Sequence, residues 1–165
     1  MSAPRFGIGI LTLSDKGARG EREDESGRII AEMVAELGEV QRYEVIPDDE
    51  EQIVETLVAW CDRERLDLIL TTGGTGLTRR DITPQATARV LDYEVPGMAE
   101  AMRAASLAKT SHAMLSRALA GVRGQTLIVN LPGSPKGVRE NLEVVLPALP
   151  HGLAKLKGDP SDCAR

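Results

Sequence analysis

The stretch LTTGGTGLTRRDITP, residues 70–84, follows an apolar run with glycines, threonine hydroxyls, two arginines and an aspartate, and it carries the most evident chemistry of the chain. Gly73, Gly74 and Gly76 permit positive φ and bare their backbone N–H groups, so the loop can form a concave cradle for an anion. It is not a Walker loop, which needs G-x-x-x-x-G-K-[ST], and Arg79 stands where a dinucleotide fingerprint requires its third glycine. On glycine pattern alone, a tight strand-to-helix turn explains the loop as well as a ligand cradle does. Arg80 adds a guanidinium able to grip phosphate oxygens, and Asp81 a carboxylate able to hold Mg²⁺ or orient a nucleophile. Adjacent opposite charges also describe a solvated turn.

A second carboxylate, Asp48 in IPDD, ends another apolar segment. Two carboxylates at one strand edge, beside a glycine cradle, are ingredients of Mg²⁺-assisted phosphoryl or nucleotidyl transfer. The competing role for Asp48 is a helix cap, which Asp49 fills equally well. Ser14 and Ser116 offer hydroxyls to a ligand, but neither has a histidine or lysine base in its sequence context, so both read as structural. His112 and His151 have no metal-ligand spacing, and Cys61 and Cys163 suit neither a zinc site nor a disulfide framework.

Placing these groups requires a scaffold, and 165 residues suffice for one domain with a proper core. A net charge of -5 and 2% aromatic residues argue against nucleic-acid binding, which relies on basic patches and stacking platforms. The apolar run Phe6 to Leu13 is too short to span a membrane, and Met1 to Arg5 makes no signal peptide. With free cysteines, a reducing, cytoplasmic setting is expected.

Phe6 to Leu13 reads as a strand covered on both faces. Ile29, Ile30, Met33, Val34 and Leu37 then recur at helical spacing, with Gly38 as the expected stop. Val40 to Ile46 leads into a helix that starts near Asp49 and turns Ile53, Leu57, Trp60 and Cys61 inward. Asp67 to Thr72 reads as a strand entering the glycine loop, and Thr83-Pro84 as an N-cap with proline at the first helical position. A helix over Met98 to Ala108, a hairpin of Ala118 to Val122 and Thr126 to Leu131, and a last helix over Val138 to Leu149 complete the chain. Residues 1–158 are expected to form the domain and 159–165 a disordered tail. This alternation implies an α/β three-layer sandwich, its sheet mostly parallel with an antiparallel hairpin strand. Ligands bind beyond the carboxyl ends of such strands, where Ser14-Asp15, Pro47-Asp48, Gly73 to Asp81 and Pro132 to Pro135 should meet.

TTGGTGLTRRDITPQAT, with IPDD upstream and MLSRA and NLPGSPKGVRENL downstream, resembles the molybdopterin-binding family of molybdenum-cofactor biosynthesis, and within it the small single-domain adenylyltransferases. The similarity runs from about Arg5 to Lys157. The resemblance implies the molybdopterin-binding fold, a homotrimer, and transfer of AMP from ATP to the terminal phosphate of molybdopterin with release of pyrophosphate. The family's functional aspartates fall on Asp48 and Asp81, where Mg²⁺ would be held. Its nucleotide- and pterin-binding loop falls on Thr72, Gly73, Gly74, Thr75 and Gly76, its strand-end serine on Ser14, and its LSR serine on Ser116. The PG-P loop falls on Pro132, Gly133 and Pro135; Arg80 matches the family arginine before the aspartate, and Arg79 carries no role. Implied partners are molybdopterin, ATP and a downstream molybdenum-insertion protein, with neither nucleic acid nor membrane. Adenylyl transfer needs no protein nucleophile, since the substrate phosphate supplies one. Two alternatives stay open: a non-catalytic molybdopterin-binding or carrier protein, and an insertion role like that of larger proteins carrying this domain, for whose added domains the chain has no room.

Overall fold

Period-two alternation sorts the strand residues between two faces of a sheet, and the helices that cover those faces make three layers. The computed structural model describes residues 5–163. Six strands form one sheet: β1 (Phe6–Leu13), β2 (Gly38–Ile46), β3 (Leu68–Thr72), β4 (Tyr93–Glu94), β5 (Ala120–Arg123) and β6 (Thr126–Leu131), in the order β2-β1-β3-β6-β5-β4. The β1–β2, β1–β3 and β3–β6 pairs are parallel; β5 runs antiparallel to β6 and to β4. The α/β sandwich with a mostly parallel sheet and an antiparallel hairpin strand is therefore the observed architecture.

The helices are α1 (Asp15–Ala18), α2 (Glu25–Met33), α3 (Glu50–Asp62), α4 (Thr83–Val90), α5 (Pro96–Leu107), α6 (Pro135–Val145) and α7 (Leu149–Leu156). On one face Ile8, Ile10, Leu68, Leu70 and Val129 pack with Ile30 of α2, Met102 of α5, Leu142 of α6 and Leu153 of α7. On the other, Leu11, Leu13, Ile69 and Ile128 meet Ile53, Leu57 and Trp60 of α3 and Ala86 and Val90 of α4. Ile10 and Leu70 are fully buried, and burying a side chain of this kind stabilises the fold by about 1.5–3 kcal/mol. Cys61 belongs to the second face, where burial pushes its thiol up to about 11 and leaves it a packing group.

Several boundaries differ from the sequence expectation. The first long helix ends at Met33, and Gly38 opens β2, where a Cβ would stand 2.1 Å from the Phe6 carbonyl oxygen. Strand contact, not helix termination, requires glycine there. The last helix divides: α6 starts at Pro135 under a Ser134 cap, and a short 3-10 turn at Leu146–Ala148 separates it from α7. Proline at 147 and at 150 lacks an N–H for the helical ladder, which accounts for the break. The hairpin strand β5 starts at Ala120, with Gly124 at φ 60° in its turn. Strand β4 has two residues and no periodicity from which to read it. Of the expected tail, Asp159 to Cys163 contain no helix or strand; residues 1–4 and 164–165, including most of the segment considered as a leader, lie outside the described residues. Among the described residues no helix is long and apolar enough to cross a membrane.

Candidate active site at the carboxyl edge of the sheet

The strand order reverses at β1: β2 lies on one side of it and β3 on the other. Loops leaving β1 and β3 therefore diverge, and such a switch point opens a crevice beyond the carboxyl ends of the strands. A cleft of about 850 Å³ lies there, lined by parts of all four expected segments: Ser14 and Asp15, Asp48, Gly73, Gly74 and Asp81, and Gly133 to Pro135.

Gly73 and Gly74 have φ of 98° and 70°, so the loop uses the conformations only glycine adopts freely. At Gly73 a Cβ would approach the Leu13 carbonyl oxygen to 2.5 Å; at Gly74 it would meet Thr83 Oγ1 at 2.2 Å and Asp48 Oδ1 at 3.2 Å. A Cβ on Gly76 would stand 2.9 Å from Asp81 Oδ2. The Gly73 amide donates to the Leu131 carbonyl, whereas the amides of Gly74, Thr75 and Gly76 have no acceptor among the described residues. Bare donors grouped in a positive-φ loop are what an anion cradle needs.

The loop is pinned from behind by Thr83. Its hydroxyl was expected to cap α4, but Thr83 is the first residue of that helix and donates instead to the Gly73 carbonyl at 2.9 Å, while its amide reaches the Gly74 carbonyl at 3.1 Å. Buried Thr72 lines the cleft and its hydroxyl donates to the Pro132 carbonyl at 2.7 Å, tying β3 to the Pro132 to Pro135 loop.

Asp49 caps α3 through the Gln52 amide at 3.0 Å, which leaves Asp48 for other work. The Asp48 carboxylate accepts from the Asp15 amide at 3.2 Å, and the Asp48 amide donates to Asp15 Oδ1 at 3.0 Å. Arg80 then closes a chain of charges, its Nε and Nη2 on the Asp15 carboxylate at 2.9 and 2.8 Å. That guanidinium holds Asp15 below its ordinary value. Burial, and next the charge of Asp15, push Asp48 above the usual carboxylate range, with Asp81 adding to the effect. Asp81 is oriented from its own loop, its Oδ2 accepting from the amide and the hydroxyl of Thr78, both at 2.9 Å. Among the described residues no three histidine, cysteine or acidic side chains converge as a metal cage.

The remaining expected residues divide. Ser14 lines the cleft while capping α1, its Oγ accepting from the Gly17 amide at 3.0 Å. Gly133 approaches Gly73 closely, and its carbonyl accepts from the Ser26 hydroxyl at 2.7 Å. Pro135 lines the cleft as the first residue of α6. Ser116 and Pro132 instead line a neighbouring cavity of about 240 Å³, which shares Ser134 with the cleft. Thr75, Gly76 and Arg80 are not among the residues that line the cleft, and Arg80 and Arg79 are exposed.

Sequence reasoning missed three participants. Asp15 was visible only as a strand-end neighbour of Ser14. Asp24 lines the cleft, accepting from Thr12 Oγ1 at 2.7 Å, from the Gly27 amide at 3.0 Å and from the Tyr43 hydroxyl. Burial, with the neighbouring Asp24, pushes the Tyr43 phenol upward. The sequence D-E-S-G ahead of a helical run marks Asp24 as a cap, but not as a cleft residue. Arg117, inside the MLSRA segment, reaches the glycine loop and had no local signal at all.

The family described as "Probable molybdopterin binding domain" matches residues 9–151. The molybdopterin adenylyltransferase of Helicobacter pylori strain J99 is 44% identical over 155 residues, covering 92% of this chain and 88% of that protein. A protein of the same description from Pyrococcus furiosus is 43% identical over 159 residues, covering 92% of each. The crystal structure of the molybdopterin biosynthesis enzyme MoaB from Thermus thermophilus superposes with a TM-score of 0.89 at 58% identity, covering 95% of this chain and 99% of that one. The motifs, the sheet and these matches agree over nearly the same residues, and the chain belongs to the molybdopterin-binding family of molybdenum-cofactor biosynthesis.

Proposed function

We propose that this protein is a nucleotidyltransferase that adenylylates molybdopterin with Mg-ATP. An oxygen of the molybdopterin phosphate attacks the α-phosphorus of ATP; the new P–O bond forms as the bond to the bridging oxygen breaks, and pyrophosphate leaves. The observation that carries the reading is one cleft lined by Asp48, Asp81 and the positive-φ glycines Gly73 and Gly74, the second with an amide that has no acceptor among the described residues. Two polyanions must be brought together, so charge has to be cancelled and the groups aligned before bonds change. The Gly74 amide, with those of Thr75 and Gly76 next along the loop, would cradle phosphate or pterin at the edge of the cleft, and Thr83 and Thr72 keep that loop in place.

Asp48 and Asp81 fit Mg²⁺. Both offer carboxylate oxygens, and this ion is commonly bound by one or two carboxylates together with substrate phosphates rather than by an all-protein cage. Asp48 is disfavoured in its charged form by burial and by Asp15, which a cation would reverse. Held by these two side chains, Mg²⁺ would supply neutralisation of the transferring phosphate. Arg80 is engaged by Asp15, and its charge acts on the site by offsetting the carboxylates beside Asp48.

The reading extends to a cytoplasmic homotrimer that passes its product to a molybdenum-insertion protein. Exposed Leu107 at the end of α5, with exposed Met114 and Leu115 in the 3-10 turn that follows, supports self-association; a monomer in sedimentation equilibrium would overturn it. The deciding assay mixes purified protein, molybdopterin and Mg-ATP and measures pyrophosphate. Pyrophosphate released in step with adenylyl-molybdopterin is expected. Tight pterin binding with no ATP-dependent product would identify a carrier instead.

A further inference from the structure

The exposed part of the glycine loop, Leu77 to Arg80, leaves and re-enters the protein between Gly76 and Asp81. Arg117 spans that gap. Its Nε donates to the Gly76 carbonyl at 2.8 Å and its Nη2 to the Asp81 carbonyl at 2.6 Å, so one guanidinium fork holds both ends of the excursion. Nη1 reaches Gln85 Oε1 of α4 at 3.1 Å, and the Arg117 amide donates to the Thr75 carbonyl at 3.0 Å. Four donors of a single residue therefore engage Thr75, Gly76, Asp81 and Gln85. Among the described residues the Asp81 carboxylate is held only by Thr78, from inside the excursion.

We infer that Arg117 is a positioning residue for adenylyl transfer: its guanidinium clamps the two ends of the excursion and so sets where the Asp81 carboxylate stands relative to the bare amides of Gly74 to Gly76. The inference rests on the adenylyltransferase reading of the cleft. The chemistry demands arginine. A planar fork presents parallel donors to two carbonyls, whereas a lysine ammonium keeps the charge but is a point donor on a flexible stem. Because the loop carries both the cradle and the catalytic carboxylate, a small shift at its base misaligns both, and a misplacement of about 1 Å costs on the order of 100-fold in rate.

Arg117→Lys tests this, read by activity and by a measurement independent of activity. The pyrophosphate assay should show kcat lowered about 10- to 100-fold with KM for ATP nearly unchanged, and thermal unfolding should show the fold retained. Trypsin cuts after arginine, and exposed Arg79 and Arg80 lie in the excursion. Native wild-type protein should resist cleavage there, and Arg117→Lys should be cut several-fold faster at that site alone. Wild-type kcat in a folded Arg117→Lys protein, or an unchanged cleavage rate, overturns the inference. If Arg117→Lys does not fold, the wild-type protein decides: cleavage at Arg79-Arg80 as fast as in the unfolded chain refutes the clamp, and protection supports it. Failure of the underlying reading looks different, since wild-type protein would then release no pyrophosphate while the proteolysis pattern still reported on the clamp.

Discussion

Replacing Gly74 by alanine perturbs the cradle at the point where its geometry is tightest. Gly74 sits at φ 70°, a left-handed conformation that costs a side-chain-bearing residue about 1–2 kcal/mol. The new methyl would also stand 2.2 Å from Thr83 Oγ1 and 3.2 Å from Asp48 Oδ1. Thr83 is fully buried and its hydroxyl donates to the Gly73 carbonyl. Turning it away leaves a buried donor and acceptor unpaired, at about 1–3 kcal/mol. The combined loss is about 2–5 kcal/mol, which lowers Tm by about 5–15 °C in a domain of this size. Calorimetry on Gly74→Ala, Thr83→Ala and the double variant separates the two contributions, because removing the hydroxyl relieves the clash while the backbone strain remains. The double variant should be less destabilised than the sum of the singles by about 1 kcal/mol or more. A Tm within about 2 °C of wild type, or strictly additive losses, would refute the steric reasoning.

Other outcomes follow from the same geometry. Asp81→Asn keeps an oxygen for Thr78 to bond, so it should fold normally yet release pyrophosphate about 10²- to 10³-fold more slowly; undiminished turnover would remove Asp81 from the chemistry. The raised value of Asp48 means that the folded state holds its proton more tightly than the unfolded chain does. Its favourable contribution is complete below the ordinary carboxylate value and disappears as pH rises through the folded-state value. Asp48→Asn should therefore raise Tm relative to wild type near pH 7, with the gain shrinking toward pH 3 as the wild-type carboxyl protonates, while activity is lost; a pH-independent difference would contradict this. Asn130 is fully buried, bonding Thr71, Thr87 and the Leu119 amide. Asn130→Ala should cost about 3 kcal/mol, seen as a lower urea midpoint at unchanged m-value.

How far the site could be read in advance depended on whether each signal was local. Strand β1 was legible residue for residue, because a strand buried on both faces shows as an unbroken apolar run. The positive φ at Gly73 and Gly74 was legible in kind, since a glycine pair after a strand has few other uses. Gly38 and Thr83 were misassigned for a shared reason. Each has a plausible local role in helix capping, and each is fixed instead by a residue the fold brings in: the close approach of the Phe6 carbonyl, which leaves no room for a Cβ, for one, and the Gly73 carbonyl for the other. The split between α6 and α7 was readable from Pro147 and Pro150 but was hidden under a continuous apolar periodicity.

By itself the sequence determined the layer architecture and the segments that gather at the carboxyl edge, those carrying Asp48 and Asp81 included, because hydrophobic period, turn chemistry and motif spacing are properties of neighbours along the chain. Only the tertiary structure decided what those groups touch. Arg80 binds Asp15 across 65 residues, Asp48 and Asp15 exchange hydrogen bonds across 33, and Arg117 clamps Asp81 across 36. Ser116 was drawn to a neighbouring cavity by the loop that carries it. Side-chain hydrogen bonds act over about 3 Å, so their partners follow from which strand-end segments the sheet order sets side by side at the carboxyl edge, which no local pattern encodes.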